Sequence, residues 1–271
     1  DTHLGYGEND MILQNDSFEA FYEALDIAQE ENVDFILHAG DMYDTSTPST
    51  STIVKTNQVL LNHSYTTSCS FTDSNGEINI KFPIFVISGN HDQPSGVNLT
   101  SPCEILQSVN LIYYFEKFID TPKVILKPVI IEKGDITIAI YGLTYINNVR
   151  FISLLENTIM TGEQIIMFEN PPEEASKRFN ILLVHQDRSS RNNKKPEALY
   201  FLSEICPWMD LIIWGHEHDN KAEIENDFGF KILQQGSTII TQIKKYDETR
   251  RGIGIIELFD STPFYDYPEV Y

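Results

Sequence analysis

The sequence predicts an α/β sandwich. Short apolar runs rich in β-branched and aromatic residues recur along the chain, helix-like stretches alternate with them, and Asp, Asn and His gather where the runs end. The runs are 33–39 (VDFILHA), 82–88 (FPIFVIS), 136–143 (ITIAIYGL), 179–184 (FNILLV) and 210–214 (DLIIW). Each is nearly continuous in apolar residues, as strands covered on both faces are.

In chain order, the first element is a helix over 17–30, where Phe18, Phe21, Leu25 and Ala28 recur at helical spacing after Asp16 or Ser17 as N-cap. A second helix follows Pro48, with Ser and Thr residues capping a stretch that carries Ile53, Val54, Leu60 and Leu61. Residues 62–81 (NHSYTTSCSFTDSNGEINIK) read as a long surface loop, and loops of that length inside a domain are often functional. A third helix, 102–109, begins at Pro102, a favoured first helical position. Residues 162–178 form another excursion and 222–235 a hairpin. The last stretch, STPFYDYPEVY, has no clear period, so one domain is assigned to 1–260 and a tail or stub of a further domain to 261–271.

At 271 residues, 41% of them hydrophobic, the chain can build a sizeable core for one large domain. Forty acidic residues against 19 basic ones give a net charge of −21, which repels polyanions at long range and argues mildly against a nucleic-acid substrate. Bound divalent cations and local basic patches would offset it. Cys69, Cys103 and Cys206 are odd in number and widely spaced, which fits a reducing compartment and argues against a disulfide framework or zinc ribbon. No run of about 18 apolar residues offers a membrane span. The opening DTHLGYGE is neither a signal peptide nor an initiator-Met start, so the numbering is expected to begin inside a longer chain, directly after a missing strand.

The metal-ligand residue types fall in a pattern. Asp1-Thr2-His3 opens the chain, Gly40-Asp41 ends the 33–39 run, and Gly89-Asn90-His91-Asp92 ends the 82–88 run. His185 ends the 179–184 run and Gly215-His216-Glu217-His218 the 210–214 run. Four predicted strands thus deliver such residues at their C-terminal ends, where open α/β sheets bind ligands. Asp1/His3 and His216/His218 are spaced i, i+2, on one side of an extended backbone. Imidazoles, carboxylates and one amide oxygen suit manganese, iron or zinc, and seven such residues fit two ions sharing a bridging carboxylate. A pair of divalent ions can activate water, neutralise a phosphate and align nucleophile with leaving oxygen. Taken singly, Asp-x-His arises by chance and Gly-Asp after a strand is more often a turn. Five such elements in this order, each on a strand end, are another matter.

DTH, GD, GNHD, His185 and GHEH resemble the calcineurin-like metallophosphoesterase superfamily over essentially the whole chain, which implies a four-layer α/β/β/α sandwich. Its protein phosphatases follow GD with VDRG and carry GNHE; here the segments are GDMYD and GNHD. The flanking strings DTHLGY, NDSF, VDFILHAGDMYD, FPIFVISGNHD, IAIYGL, NILLVHQDRS, DLIIWGHEH and QQGSTIITQ resemble the meiotic-recombination-eleven nuclease family, and its eukaryotic members in particular. That family works in DNA double-strand-break repair. The resemblance implies one ion, most naturally manganese, held by Asp1, His3, Asp41 and His218, and a second held by Asp41, Asn90, His185 and His216. It implies that His91 protonates or stabilises the leaving oxygen and that Asp92 orients His91; the alternatives are a structural histidine for His91 and a cap of the following turn for Asp92.

There are departures. Where the family commonly has a histidine three residues after the bridging aspartate, this chain has Asp44, whose carboxylate is expected to repel phosphate. HQNR appears as HQDR, adding Asp187, and QPGS as QQGS. Arg188, Arg191, Lys194 and Lys195 follow His185 and read as a cationic, DNA-positioning loop beside the metals, or as a solvated loop; Lys244, Lys245, Arg250 and Arg251 read as a solvated face. The family's DNA-gripping cap would lie beyond residue 271, so weak, strongly salt-dependent DNA binding is expected. The implied setting is nuclear. The implied partners are DNA, a second copy through the helices after Pro48 and Pro102, an SMC-like ATPase, and an adaptor subunit at 62–81. The apolar residues of those two helices (Ile53, Leu60, Leu61, Ile105, Leu106, Val109) equally read as core. The implied activity is 3′-to-5′ exonuclease and single-strand endonuclease. A phosphodiesterase for small substrates such as cyclic nucleotides, or a non-catalytic scaffold, are the competing readings.

Overall fold

The computed structural model describes residues 1–63, 67–80, 83–115, 117–118, 121–163, 165–169, 175–188, 197–241 and 251–259. The stub assigned to 261–271 lies outside them. In order the elements are α1 (Asp16–Glu30), β1 (Ile36–His38), α2 (Thr50–Asn62), β2 (Ser70–Asp73), β3 (Gly76–Glu77), β4 (Ile84–Val86), α3 (Cys103–Ser108) and β5 (Tyr113–Tyr114). There follow β6 (Val124–Leu126), β7 (Val129–Lys133), β8 (Ile136–Leu143), α4 (Asn148–Thr161), β9 (Ile166–Phe168) and β10 (Phe179–His185). The last are α5 (Glu197–Ile205), β11 (Leu211–Gly215), β12 (Lys221–Asp227) and β13 (Phe230–Gln234).

Two sheets face each other, one of order β1-β4-β5 and one of order β12-β13-β11-β10-β8-β7-β2-β3. The small sheet is parallel throughout, and in the large one β8, β10, β11 and β13 run parallel. The alternation of side chains along the strands sorts the core into three layers. Ile84 and Val86 of β4 pack with Phe18, Phe21 and Leu25 of α1 and Val59 and Leu60 of α2. Phe85 and Ile87 point the other way, onto Ile138, Ile140, Ile181 and Leu183 of the large sheet. From that sheet's far face Tyr141, Leu182, Val184 and Trp214 pack with Phe151 and Leu155 of α4 and Leu199 and Leu202 of α5. The result is the four-layer α/β/β/α sandwich. Each buried Leu, Ile or Phe contributes roughly 1.5–3 kcal/mol, so the apolar runs that predicted the strands also hold the layers together.

The structure corrects several details. Asn15, without a side-chain cap bond, is the N-cap of α1; Ser17 Oγ instead accepts from the Gly5 amide at 3.2 Å, tying the first loop to the helix. Ser49 caps α2, accepting from Thr52 N at 3.1 Å. Pro102 is the N-cap of α3 rather than its first turn. The segment 62–81 holds β2 and β3, which extend the large sheet through β2–β7 pairing, so it is a hairpin and not a structureless loop. Its high Ser/Thr/Asn content masked a strand with one buried apolar residue, Phe71. The hairpin expected at 222–235 is β12–β13. Leu60 and Leu106 are core, whereas Val54, Leu61, Ile105 and Val109 are 41–58% exposed, so α2 and α3 each carry an inner and an outer apolar row. Among the described residues no helix is long and apolar enough to cross a membrane.

Candidate metal centre

The pairs β1/β4 and β10/β11 are each adjacent and parallel, one pair per sheet, so four C-terminal strand ends meet at one edge of the sandwich. The first residues of the chain lie along the same edge: Thr2 N and His3 N both donate to Asp41 O at 3.0 Å, and Leu4 N donates to Met42 O at 2.8 Å. Turning a side chain into the centre strains the backbone. His3, Asp41 and His216 all sit at positive φ (44°, 52° and 78°), a region non-glycine residues rarely adopt, at a cost of about 1–3 kcal/mol each.

Two glycines serve close approach rather than turning. A Cβ on Gly89 would lie 2.1 Å from Asp41 Oδ1 and 2.6 Å from the Asp41 amide, and one on Gly215 would lie 2.1 Å from the Ala39 carbonyl. Gly89→Ala is therefore expected to push Asp41 out of place and reduce Mn2+ binding at least tenfold in titration calorimetry. An unchanged affinity would show that the β1 and β4 loops need not touch.

The structure brings all seven expected ligand residues together. Asp1, His3, Asp41 and His218 form one group and Asp41, His185 and His216 another, with ligand atoms in each within 4.8 Å of one another; Asp41 belongs to both. Asn90 Oδ1 lies 3.1 Å from His185 Nε2 and 2.7 Å from His216 Nδ1. His3 Nε2 and His218 Nε2 face each other at 3.2 Å. On its outward side each ring has a partner: His3 Nδ1 at Asp44 Oδ1 (3.2 Å), His185 Nδ1 at the Ala39 carbonyl (2.7 Å), His216 Nε2 at Asp187 Oδ1 (2.6 Å) and His218 Nδ1 at Thr241 Oγ1 (2.8 Å).

These donors fit cations. With the outward nitrogens carrying the protons, the inward ones present lone pairs to each other and to Asp41 Oδ2, which is buried without a hydrogen-bond donor and lies 3.3 Å from His185 Nε2. Acceptors crowded onto acceptors repel unless positive charge lies between them. Burial would raise the Asp41 carboxyl, but positive charge at the neighbouring rings, together with the His91 amide, holds it well below the usual carboxylate range, and cations held among neutral rings supply that same positive charge. Burial, and then the neighbouring His3, pushes His218 down to about 3, and burial lowers His3 as well. Neutral imidazoles and an ionised carboxylate are the forms that bind metals.

His91 is near the ligands, its ring centroid 4.8 Å from that of His3 and its side chain 40% exposed. Its Nδ1 donates to the Asp44 carbonyl at 2.8 Å, which leaves Nε2 free for a substrate. Asp92 does not orient it. The Asp92 carboxylate is buried and accepts from Met42 N (2.7 Å), Tyr43 N (3.2 Å) and Gly89 N (2.7 Å), so it ties the β1 loop to the β4 loop. Burial and the charge of Asp41 push it up to about 6.

Arg188 is a second correction. Only 8% exposed, it gives its guanidinium to Glu225 as a bidentate pair (2.8 and 2.5 Å) and to Gln234 (2.8 Å), so its charge is neutralised internally. Glu225, one turn of sequence inside the hairpin, gave no signal that it would capture this residue. Arg191, Lys194 and Lys195 lie outside the described residues. Arg251, read as part of a solvated face, bonds the His218 carbonyl and Ser237. Sequence reasoning also missed Thr241 and Tyr145. The Tyr145 ring lies 6.3 Å from His185 and 6.4 Å from His216, two residues past the end of β8, so a search of every strand end would have found it. Beside the centre a cavity of about 500 Å³ is lined by Gly5, Glu8, Asp10, Asp44 and Thr52, an acidic surface.

The fold and this edge define the class: the chain belongs to the calcineurin-like phosphoesterase family, whose pattern it matches over residues 1–220. Among individual proteins it is similar to double-strand break repair protein MRE11 of Encephalitozoon cuniculi, 36% identical over 90% of this chain and 41% of that protein. The proteins of the same name from Arabidopsis thaliana and Homo sapiens are 32% and 30% identical over 95% of this chain, and 39% and 38% of their own lengths. The chain thus spans about two-fifths of the relatives it matches.

Proposed function

We propose that this chain is the nuclease domain of a double-strand-break repair protein and cleaves DNA phosphodiester bonds with two divalent ions, manganese by preference. The observation that carries the reading is a pair of ligand groups sharing one buried carboxylate, Asp41, in a chain similar to MRE11 over nearly its whole length. Asp1, His3, Asp41 and His218 would hold one ion and Asp41, Asn90, His185 and His216 the other. Once bound, the ions supply an activated water and positive charge for the phosphate. The rest falls to the protein. His91, its Nδ1 anchored on the Asp44 carbonyl, presents Nε2 to the leaving oxygen and supplies its proton or a hydrogen bond. The outward partners of the four ligand histidines hold their rings so that no reorganisation is needed when substrate arrives.

The phosphoesterase domain would occupy 1–260, with 261–271 a stub of a DNA-capping domain or a tail. The exposed apolar residues Val54 and Leu61 of α2, and Ile105 and Val109 at α3, support pairing with a second copy. An SMC-like ATPase, an adaptor at the β2–β3 hairpin and a nuclear setting complete the reading, and rest on the similarity to the repair proteins alone.

His91→Asn is expected to lower manganese-dependent cleavage of DNA by roughly 10²–10⁴-fold while leaving Mn2+ affinity intact. Undiminished cleavage would remove His91 from the chemistry. The internal pairing of Arg188, which takes that cation away from any duplex phosphate, favours the second reading, a small-substrate phosphodiesterase. Hydrolysis of a nitrophenyl phosphodiester with none of DNA at low salt would select it.

A further inference from the structure

Among the outward partners of the four ligand histidines, two are ordinary for any fold: a backbone carbonyl and a threonine hydroxyl. The other two are carboxylates, and both stand where this chain departs from the pattern it resembles. Asp44 meets His3 Nδ1 at 3.2 Å and Asp187 meets His216 Nε2 at 2.6 Å. The two rings belong to different ligand groups, one at each end of the centre.

We propose that Asp44 and Asp187 are positioning residues of the metal centre, each fixing the tautomer of one ligand histidine so that His3 Nε2 and His216 Nδ1 present lone pairs inward. A carboxylate accepts a proton-bearing ring nitrogen more strongly than an amide or hydroxyl does, and so locks the ring and makes the opposite nitrogen a better donor. The geometry agrees at both ends. His216 Nδ1 lies 2.7 Å from Asn90 Oδ1, inside the second group, and His3 Nε2 lies 3.2 Å from His218 Nε2, inside the first. Asp44 therefore spends its carboxylate on His3 and its carbonyl on His91, which serves two functional rings from one residue. The expectation that Asp44 merely repels phosphate gives way to a structural task. Asp187 and Asp44 have side chains 46% and 28% exposed, so neither is needed to fill the core and both tolerate substitution.

The inference rests on the two-ion reading, and the test separates them. Mn2+ is titrated calorimetrically into the wild type and into Asp44→Ala, Asp44→Asn, Asp187→Ala and Asp187→Asn, each first shown to melt as the wild type does in chelator. The alanine variants are expected to bind Mn2+ about 10–100-fold more weakly with unchanged stoichiometry. The asparagine variants, which keep an oxygen acceptor, are expected to recover most of that loss. In the zinc-loaded protein, nitrogen-15 spectra of the histidines are expected to show His3 protonated at Nδ1 and His216 at Nε2, and each assignment to blur in its alanine variant. Alanine variants with wild-type affinity and tautomers overturn the positioning role while the metal centre stands. Loss of a whole equivalent of metal in Asp44→Asn makes Asp44 a ligand with His3 and His91, and overturns it too. A wild type that binds no Mn2+ sinks the two-ion reading itself.

Discussion

Asp41→Asn is expected to abolish metal-dependent cleavage and to remove the stabilisation that Mn2+ gives the wild type. The substitution keeps volume and keeps an oxygen for the His91 amide, which bonds Asp41 Oδ1 at 2.8 Å. What it removes is the charge shared by both ligand groups. Without ions that charge, though fully buried, is held ionised by its positive neighbours and the His91 amide, so removing it is expected to cost some stability in chelator. With ions it is the element common to both. Losing a Lewis-acid centre costs several kcal/mol of transition-state stabilisation, roughly 10³-fold or more in rate. The signature lies in melting curves. Mn2+ at about 100 times its dissociation constant should stabilise the wild type by ~2.7 kcal/mol and the variant hardly at all. A variant that still melts higher with Mn2+, or that is crippled in chelator, would mean that Asp41 supports the fold rather than the ions.

The same opposition between site and fold governs what the sequence revealed. The five apolar runs became β1, β4, β8, β10 and β11 because continuous burial on both faces leaves a signal that does not depend on neighbours. The candidate ligand set was legible for a related reason: Gly40-Asp41, Gly89-Asn90, His185 and Gly215-His216 stand directly at the ends of those runs, where strand order alone brings them together. The hairpin β2–β3 was not legible, because its pairing with β7 is decided by an edge about 60 residues on and by the single buried Phe71. The fate of Arg188 was hidden likewise. A basic residue after His185 reads as a phosphate contact until Glu225, brought alongside only by the β12–β13 hairpin, claims it. Long-range polar pairings have no local period, and they are what separates naming the residues that meet from a correct account of each residue around them.

Asp92 shows how much turns on that difference. As an orienting group for His91 it would be dispensable to folding, and Asp92→Asn would lower activity alone. Its actual partners predict otherwise. Three backbone amides, Met42 and Gly89 at 2.7 Å and Tyr43 at 3.2 Å, converge on one carboxylate with no exposure to solvent. Asp92→Ala strands all three, at about 1–3 kcal/mol apiece, so a loss of at least ~3 kcal/mol is expected from a total that in domains is typically 5–15 kcal/mol. Asparagine does not rescue it, because its amide group would turn a donor toward donors on one side. Both variants should therefore melt well below the wild type in chelator, where no metal contributes. They should also bind Mn2+ poorly, because the loops that carry Asp41 and Asn90 are the ones Asp92 joins. If Asp92→Asn instead melts with the wild type and loses only cleavage, the amide contacts are incidental and the carboxylate acts on the chemistry after all.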